Sequence, residues 1–468
     1  MSECVWDEAA PREYVDCVLG EASAASASDL DNFYLLVCAT LVFFMQSGFA
    51  MLCAGSVRQK NVKNIMLKNL LDACGGALGF YLLGFGFAYG KGSTFLGGAG
   101  GSMLCLSNIE EHGESYANFF FQFAFAATAA TIVAGTVAER CKMEAYLCYS
   151  LFLTSFVYPV VARAGWSGQG IFSGDYAVKD FAGSGIVHMV GGFTALIAAI
   201  ILGPRNGRFY DEDNNPLIEP AEFPPSSVAL QILGTFILWV GWFGFNPGST
   251  LAASGGNASI ATYCAVTTTL SAAAGCVSSM FLACWLKYNK TGLVVYDLTY
   301  AMNGALGGLV GITAAPDSTE TWCSIIVGII SGFVYVGGSN LLIKLKIDDA
   351  VDAVPVHFFC GLWGVIAAAL FDRDGGLFMT GKGWQLAVNI YLILFVIGWV
   401  GVTMTPYFLL LKTVGWFRVE ALEEDVGLDV SHHGGSAYNL DGPKKEDVDE
   451  LNKRRATAHG KVSKSGEP

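Results

Sequence analysis

Two histidines in this 468-residue chain sit in runs that otherwise avoid ionisable side chains: His188 within "VHMVGG" and His357 within "VHFFCG". Their surroundings match. Val precedes each histidine, a glycine follows four residues later (Gly192, Gly361), and an aspartate lies a short way upstream (Asp180, Asp352). A neutral imidazole carries one N–H donor and one lone-pair acceptor, so two in tandem can accept and pass on a proton. Two positive charges side by side in apolar surroundings repel, so such a pair holds at most one extra proton. The remaining histidines, His112, His432, His433 and His459, fall in loops or tail. Asp180 opens an apolar run through the small residues of "DFAGSG". A carboxylate there can cap a helix by accepting backbone N–H groups, or add negative potential that favours a nearby cation. Both readings stand.

The elements that must position these groups are membrane spans. Only 14% of the residues are charged, against about 25% in soluble domains. A membrane helix needs about 20 mostly apolar residues. Eleven stretches qualify: 32–54, 66–90, 117–138, 143–163, 185–203, 226–246, 258–286, 292–314, 322–343, 354–371 and 384–411. The expected fold is an all-α polytopic membrane protein. Its parts are an extracellular N-terminal segment (1–31), a membrane domain (32–412), a cytoplasmic regulatory tail (413–442) and a disordered C-terminus (443–468).

Other function classes find no support. A net charge of −13 does not suit a nucleic-acid binder. The 13 cysteines show neither CxxC nor metal-site spacing, so no metal is expected. Cys38, Cys53, Cys74, Cys264 and Cys284 read as small core residues, while Cys4 and Cys17 lie in the polar N-terminus, where an extracellular location would permit oxidation. Asn257-Ala-Ser is a glycosylation sequon close to the membrane. There is no GxSxG, HExxH or Walker A motif, so neither an enzyme nor a cofactor is expected.

Alternate loops carry the basic residues: Arg58, Lys60 and Lys63; Arg140 and Lys142; Arg205 and Arg208; Lys287 and Lys290; Lys344 and Lys346. The positive-inside rule makes that set cytoplasmic, with the N-terminus outside and the tail inside. The histidines fall in the fifth and tenth spans. Spans one to five and six to ten then form two halves with an odd number of crossings each. The second half is inverted, an eleventh helix follows, and the two histidines meet near the midplane. Gly192 and Gly361 remove bulk one turn along, so that helices can approach closely.

The stretch "DFAGSGIVHMVGG" resembles the signature of the Amt/Mep/Rh ammonium transporters, specifically the plant-type Amt branch. "GFAMLCAGSVRQKNVKNIMLKN", "GTVAERCKMEAYLCYS", "WFGFNPGS" and "GLDVSHHGGSAY" agree, and the similarity runs from about residue 30 to about residue 440. The resemblance implies eleven helices in an inverted repeat and a homotrimer with one pore per subunit. It makes Phe125 and Phe245 the pore gate, with Phe121 and Gln122 near the entrance. Trp166 of "ARAGWSGQG" and Ser249 become the outer recruitment site, and His188 and His357 the paired pore histidines. Each has a plainer reading: core packing for the phenylalanines, an interfacial anchor for Trp166, a turn hydroxyl for Ser249.

The implied substrate is ammonium, with methylammonium as an analogue. The resemblance implies a high-affinity-type transporter in a eukaryotic plasma membrane, with the tail against the cytoplasmic face and touching a neighbouring subunit. Ser431 stands where plant-type members carry a phosphorylatable threonine, so a protein kinase is an expected partner. The plainer reading of Ser431 is a solvated serine in an acidic segment. Electrogenic uniport is the expected mode, with an electroneutral ammonia channel and an ammonium sensor as alternatives.

Overall fold

The computed structural model describes residues 11–112, 115–438, 450 and 453–454. Among them the architecture is helical, with three isolated backbone bridges. Ten helices are long and apolar enough to cross a membrane: α1 (Pro11–Ser56), α2 (Gln59–Tyr89), α3 (Tyr116–Thr136), α4 (Met143–Trp166), α5 (Ser184–Leu202), α6 (Val228–Gly248), α7 (Asn257–Thr291), α9 (Thr321–Lys344), α10 (Val354–Phe371) and α11 (Trp384–Thr413). The eighth apolar element, α8 (Leu298–Ile312), has only 15 residues. A multi-pass membrane protein follows, because hydrocarbon requires every backbone polar group to be satisfied within its own helix.

Two boundaries differ from expectation. The span expected at 292–314 begins only at Leu298. Gly292 ends α7 in a left-handed conformation (φ 72°), and Asp297 restarts the helix by accepting N–H bonds from Thr299 and Tyr300. The apolar residues between them are exposed and non-helical, so hydrophobicity alone overstated the helix. The helix that contains the first span extends back to Pro11, beyond the span's own start at Leu19. Asn257 starts α7, its amide donating to the Ser254 carbonyl at 3.0 Å.

The helix starts are built by short polar side chains. Ser115 and Ser227 accept backbone N–H bonds at the starts of α3 and α6. Asp180 Oδ2 accepts from the Gly185 and Ile186 N–H groups at 3.0 and 2.8 Å, ahead of α5. Asp349 Oδ2 accepts from the Val354 N–H at 2.7 Å, ahead of α10. Helix α3 lies at the centre, with 89% of its apolar window buried, whereas α7 and α11 have 33% and present the rest outward. Cys38, Cys53 and Cys264 are buried as expected, but Cys74 is exposed on the outer face of α2 and Cys284 is partly exposed on α7. Cys17 is disulfide-bonded, and Cys4 lies outside the described residues.

Helices α5 and α10 run antiparallel and carry the two histidines. The C-terminal end of α5 meets the tail, where Arg418 donates to the Leu202 carbonyl at 2.9 Å. The N-terminal end of α10 starts on that same face, where Arg140 donates to the Asp348 carbonyl at 2.6 Å. Both helices open with a π-helical turn, Ser184–Met189 and Val354–Phe359. The packing is reciprocal: the α-helical part of each rests on the π turn of the other. A Cβ at Gly192 would lie 2.4 Å from the Phe358 nitrogen, and one at Gly361 would lie 2.7 Å from the Ser184 carbonyl. Here glycine is required by close backbone approach.

Candidate functional site: an aromatic column around paired histidines

The π turns bring His188 and His357 to the same point. Their Nδ1 atoms are 3.2 Å apart and their rings nearly parallel, with centroids at 5.2 Å. At that distance one ring donates Nδ1–H and the other accepts, so the two hold opposite tautomers. Both are buried, and His188 Nε2 has no hydrogen-bond partner. Trp242 stacks on His188 at 5.2 Å and donates its indole N–H to Thr313 Oγ1 at 2.9 Å. Phe49 lies 6.2 Å from the His357 ring.

Away from the tail face the column continues in rings. Phe245 is 5.5 Å from His188 and stacks on Phe125 at 4.0 Å. Phe125 meets Trp166 edge-on at 5.9 Å and Phe121 at 4.7 Å. Trp166 is fixed by its indole N–H, which donates to the Asp180 carbonyl at 2.8 Å. Ser249 closes α6 one turn beyond Phe245 and donates its hydroxyl to the Phe245 carbonyl at 2.8 Å. With its hydrogen used on its own helix, Ser249 Oγ presents only lone pairs to a ligand. The stacked pair Phe125–Phe245 links Trp166 and Ser249. Gln122 is buried but turned along its own helix, donating to Asn118 at 3.4 Å, and its Oε1 has no partner.

The aspartates divide differently from the sequence pairing. Asp180 caps α5. Burial raises its carboxyl to about 7 against the pull of four backbone N–H groups. Its counterpart in the second half is Asp349, which caps α10; each stands eight residues before its histidine. Asp352 stands five residues before His357, where the first half has Gly183, and both adopt positive φ (59° and 105°). The pairing of Asp180 with Asp352 is therefore corrected: what made it plausible was proximity to histidine, and what overturns it is backbone geometry. Counting back eight residues would have found Asp349. Trp242 was also missed as a site residue, although it lies in the same "WFGFNPGS" stretch as Phe245.

On the face that carries the tail, charges of the Arg58, Arg140 and Arg205 loops are drawn into ion pairs. Arg205 contacts Glu139 at 2.6 Å and Asp348 at 2.8 Å, and Arg58 pairs with Glu139. Burial alone would raise the Glu139 and Asp348 carboxyls; the neighbouring arginines reverse that and hold both low. The tail docks on this face. Phe417–Val419 pairs with Arg140–Lys142 through backbone bonds of 3.0 and 3.1 Å. Two short helices follow, α12 (Ala421–Val426) and α13 (Leu428–His433). Asp429 accepts from the Lys63 and Asn64 N–H groups at 3.0 and 2.9 Å. Ser431 is buried, 2% exposed, with its hydroxyl directed at the Glu423 carbonyl at 3.4 Å. The solvated reading of Ser431 is overturned: α13 packs that side inward. Most of the segment expected to be disordered lies outside the described residues.

The profile of the Ammonium Transporter Family matches residues 33–438. The chain belongs to the ammonium transporter family. Ammonium transporter 1 member 3 of Solanum lycopersicum is 41% identical over 451 residues, covering 89% of this chain and 94% of that protein. A solved structure titled Sensor Amt Protein superposes with a TM-score of 0.79 at 30% identity, over 88% of this chain and 100% of that one. Mep2 of Candida albicans gives 0.76 at 26% identity, over 88% and 93%. The family match covers the histidine column and the docked tail.

Proposed function

We propose that this transporter is an electrogenic, high-affinity-type ammonium uniporter of the plasma membrane, acting as a homotrimer with one pore per subunit. The N-terminus is extracellular and the tail cytoplasmic. The observation that carries the reading is the 3.2 Å contact between His188 and His357 inside a column closed by the stacked Phe125–Phe245 pair. Magnitudes support this mechanism. A cation over an aromatic face gains about 0.5–2 kcal/mol, whereas carrying a bare ion into a low-dielectric interior costs on the order of 20 kcal/mol in the idealised limit. The Trp166 face and the Ser249 lone pairs can therefore recruit ammonium but cannot carry it through the rings. Loss of a proton removes the penalty. Neutral ammonia passes Phe125 and Phe245, and the proton moves separately through the tandem imidazoles. Potassium has no proton to lose, so selectivity follows from chemistry rather than from size.

The docked tail supports a second part of this proposal. The tail holds the cytoplasmic loops of its own subunit and contacts a neighbouring one, and phosphorylation of Ser431 by a protein kinase dislodges it and closes the pores. The mechanism is tested by recording ammonium-evoked current in oocytes for the wild type, His188→Ala and His357→Ala. The expected outcome is a saturable inward current, with loss of current or of selectivity against potassium in the variants. Methylammonium uptake without current would favour the electroneutral channel, and neither current nor uptake with the protein at the surface would favour a sensor. Potassium currents equal to ammonium currents in the wild type would defeat the proton-relay reading.

A further inference from the structure

Between His357 and the tail face lie two cavities. The first, about 20 Å3, is lined by His357, Phe49, Thr131 and Asn303, among others, and has room for one water. The second is a polar vestibule of about 280 Å3. Leu52, Asn303 and Val351 line both and form the partition. Four aspartates face the vestibule, and three are committed. Asp348 is ion-paired with Arg205, Asp349 caps α10, and Asp297 caps α8. Asp352 differs. Among the described residues its carboxylate accepts only from hydroxyls, Tyr335 at 3.0 Å and Ser339 at 3.1 and 3.2 Å. A hydroxyl both donates and accepts, so it can pass a proton on, which a backbone N–H or a guanidinium cannot. Tyr335 Oη also accepts from Asn303 Nδ2 at 3.2 Å, which ties this group to the partition below His357.

We propose that Asp352 is the inner proton-exchange group. This rests on the relay reading above. The proton leaves the His357 imidazole through the one-water cavity, passes the Leu52–Asn303–Val351 partition on water, and on the vestibule side reaches the Tyr335 hydroxyl, which takes it up as it gives its own hydrogen to the Asp352 carboxylate. The resulting carboxylic acid then protonates ammonia emerging past the partition, releasing ammonium into the vestibule and restoring the carboxylate. Two further observations support the assignment. Asp352 occupies the left-handed position that is Gly183 in the other half, so a carboxylate stands where a glycine meets the backbone requirement. Burial, reinforced by the neighbouring Asp349 charge and opposed by Tyr335, Ser339 and Arg208, raises its carboxyl to about 7, near the working pH of proton exchange.

The test measures ammonium-evoked current and its response to cytoplasmic acidification in oocytes, with surface amounts matched. Asp352→Asn keeps acceptors for both hydroxyls, Asp352→Gly suits the left-handed backbone, and Asp352→Glu restores the acid. The expected result is a loss of about tenfold or more in the first two, a residual current that no longer responds to cytoplasmic pH, and recovery in the glutamate variant. Wild-type current and pH response in the Asn and Gly variants would overturn the assignment. So would a reduced current with an unchanged pH response, which marks a structural role only. A wild type that carries no current defeats the relay reading itself, and the assignment falls with it.

Discussion

At the scale of single residues, the column assigns different work to groups of similar type. His188 and His357 face each other with opposite donor roles, and Trp242 holds His188 from the side through its anchor on Thr313. Asp180 takes up the capping reading and adds a contact that the sequence did not suggest. It caps α5, and its backbone carbonyl fixes Trp166. The carboxyl sits near 7, above the usual carboxylate range. Its charge is therefore present above about 7 and is lost as the pH falls below that value. Asp180→Asn keeps an oxygen to accept the Gly185 and Ile186 N–H groups but removes the charge. The expectation is normal surface amount, ammonium current reduced about tenfold, and, where the wild type is expected to lose current as the pH on the Trp166 side drops below about 7, no such loss in the variant. Asp180→Ala should in addition lose about 0.5–2 kcal/mol of stability through the missing cap, read as a lower thermal midpoint in detergent. A wild-type pH profile in Asp180→Asn would remove the electrostatic role.

At the scale of elements, the site is the crossing of two antiparallel helices that each open with a π turn. A π turn shifts the following side chains around the helix, a feature frequent at functional sites, and here one such turn encloses each histidine. The crossing depends on Gly192 and Gly361. An alanine methyl at Gly192 would push on the Phe358 backbone, which cannot rotate away. Gly192→Ala should cost about 1–3 kcal/mol by overpacking and separate the imidazoles, so that thermal stability and ammonium current fall together. Gly337 on α9 is the matched control: nothing lies within 4 Å of its Cβ position. Gly337→Ala should leave current unchanged and leave stability equal or higher by up to about 1 kcal/mol, since alanine is the better helix former. Equal behaviour of the two variants in thermal unfolding would refute the close-approach argument.

At the scale of the whole molecule, the tail is a latch across loops distant in sequence. Asp429 caps the start of α2, Lys60 donates to the Glu424 and Asp425 carbonyls at 2.9 and 2.6 Å, and Arg418 bridges Glu424 to the end of α5. The Asp348–Arg205–Glu139 cluster lies beneath and reaches the loop that starts α10 and carries Asp352. A phosphate adds about −1.5 to −2 charge, and the 2% exposure of Ser431 leaves no space for it while the tail stays docked. Ser431→Asp should release the tail, raise the rate of limited proteolysis between 416 and 438, and lower the ammonium current. Normal current together with increased cleavage would separate docking from gating and remove Ser431 as a switch.

How much of this the chain's order of residues determined follows from the range of the forces involved. Length and apolarity determine a membrane helix locally, so ten of eleven spans were legible, as was the repeat that pairs the histidines. Where local hydrophobicity and backbone chemistry disagreed, as at Gly292 and Asp297, the caps decided and the eighth helix is short. Side-chain partners are set by what folding brings across tens or hundreds of residues. The eight-residue spacing in the sequence pairs Asp349 with Asp180, but only the fold shows that Asp349 is bonded to a backbone N–H and Asp352 to hydroxyls. It shows a serine in an acidic tail, but only docking against α2 buries it. Composition and period determined which segments cross the membrane. The burial of polar groups, each of which must find a partner once water is removed, decided which residues meet, and that was settled by the tertiary structure alone.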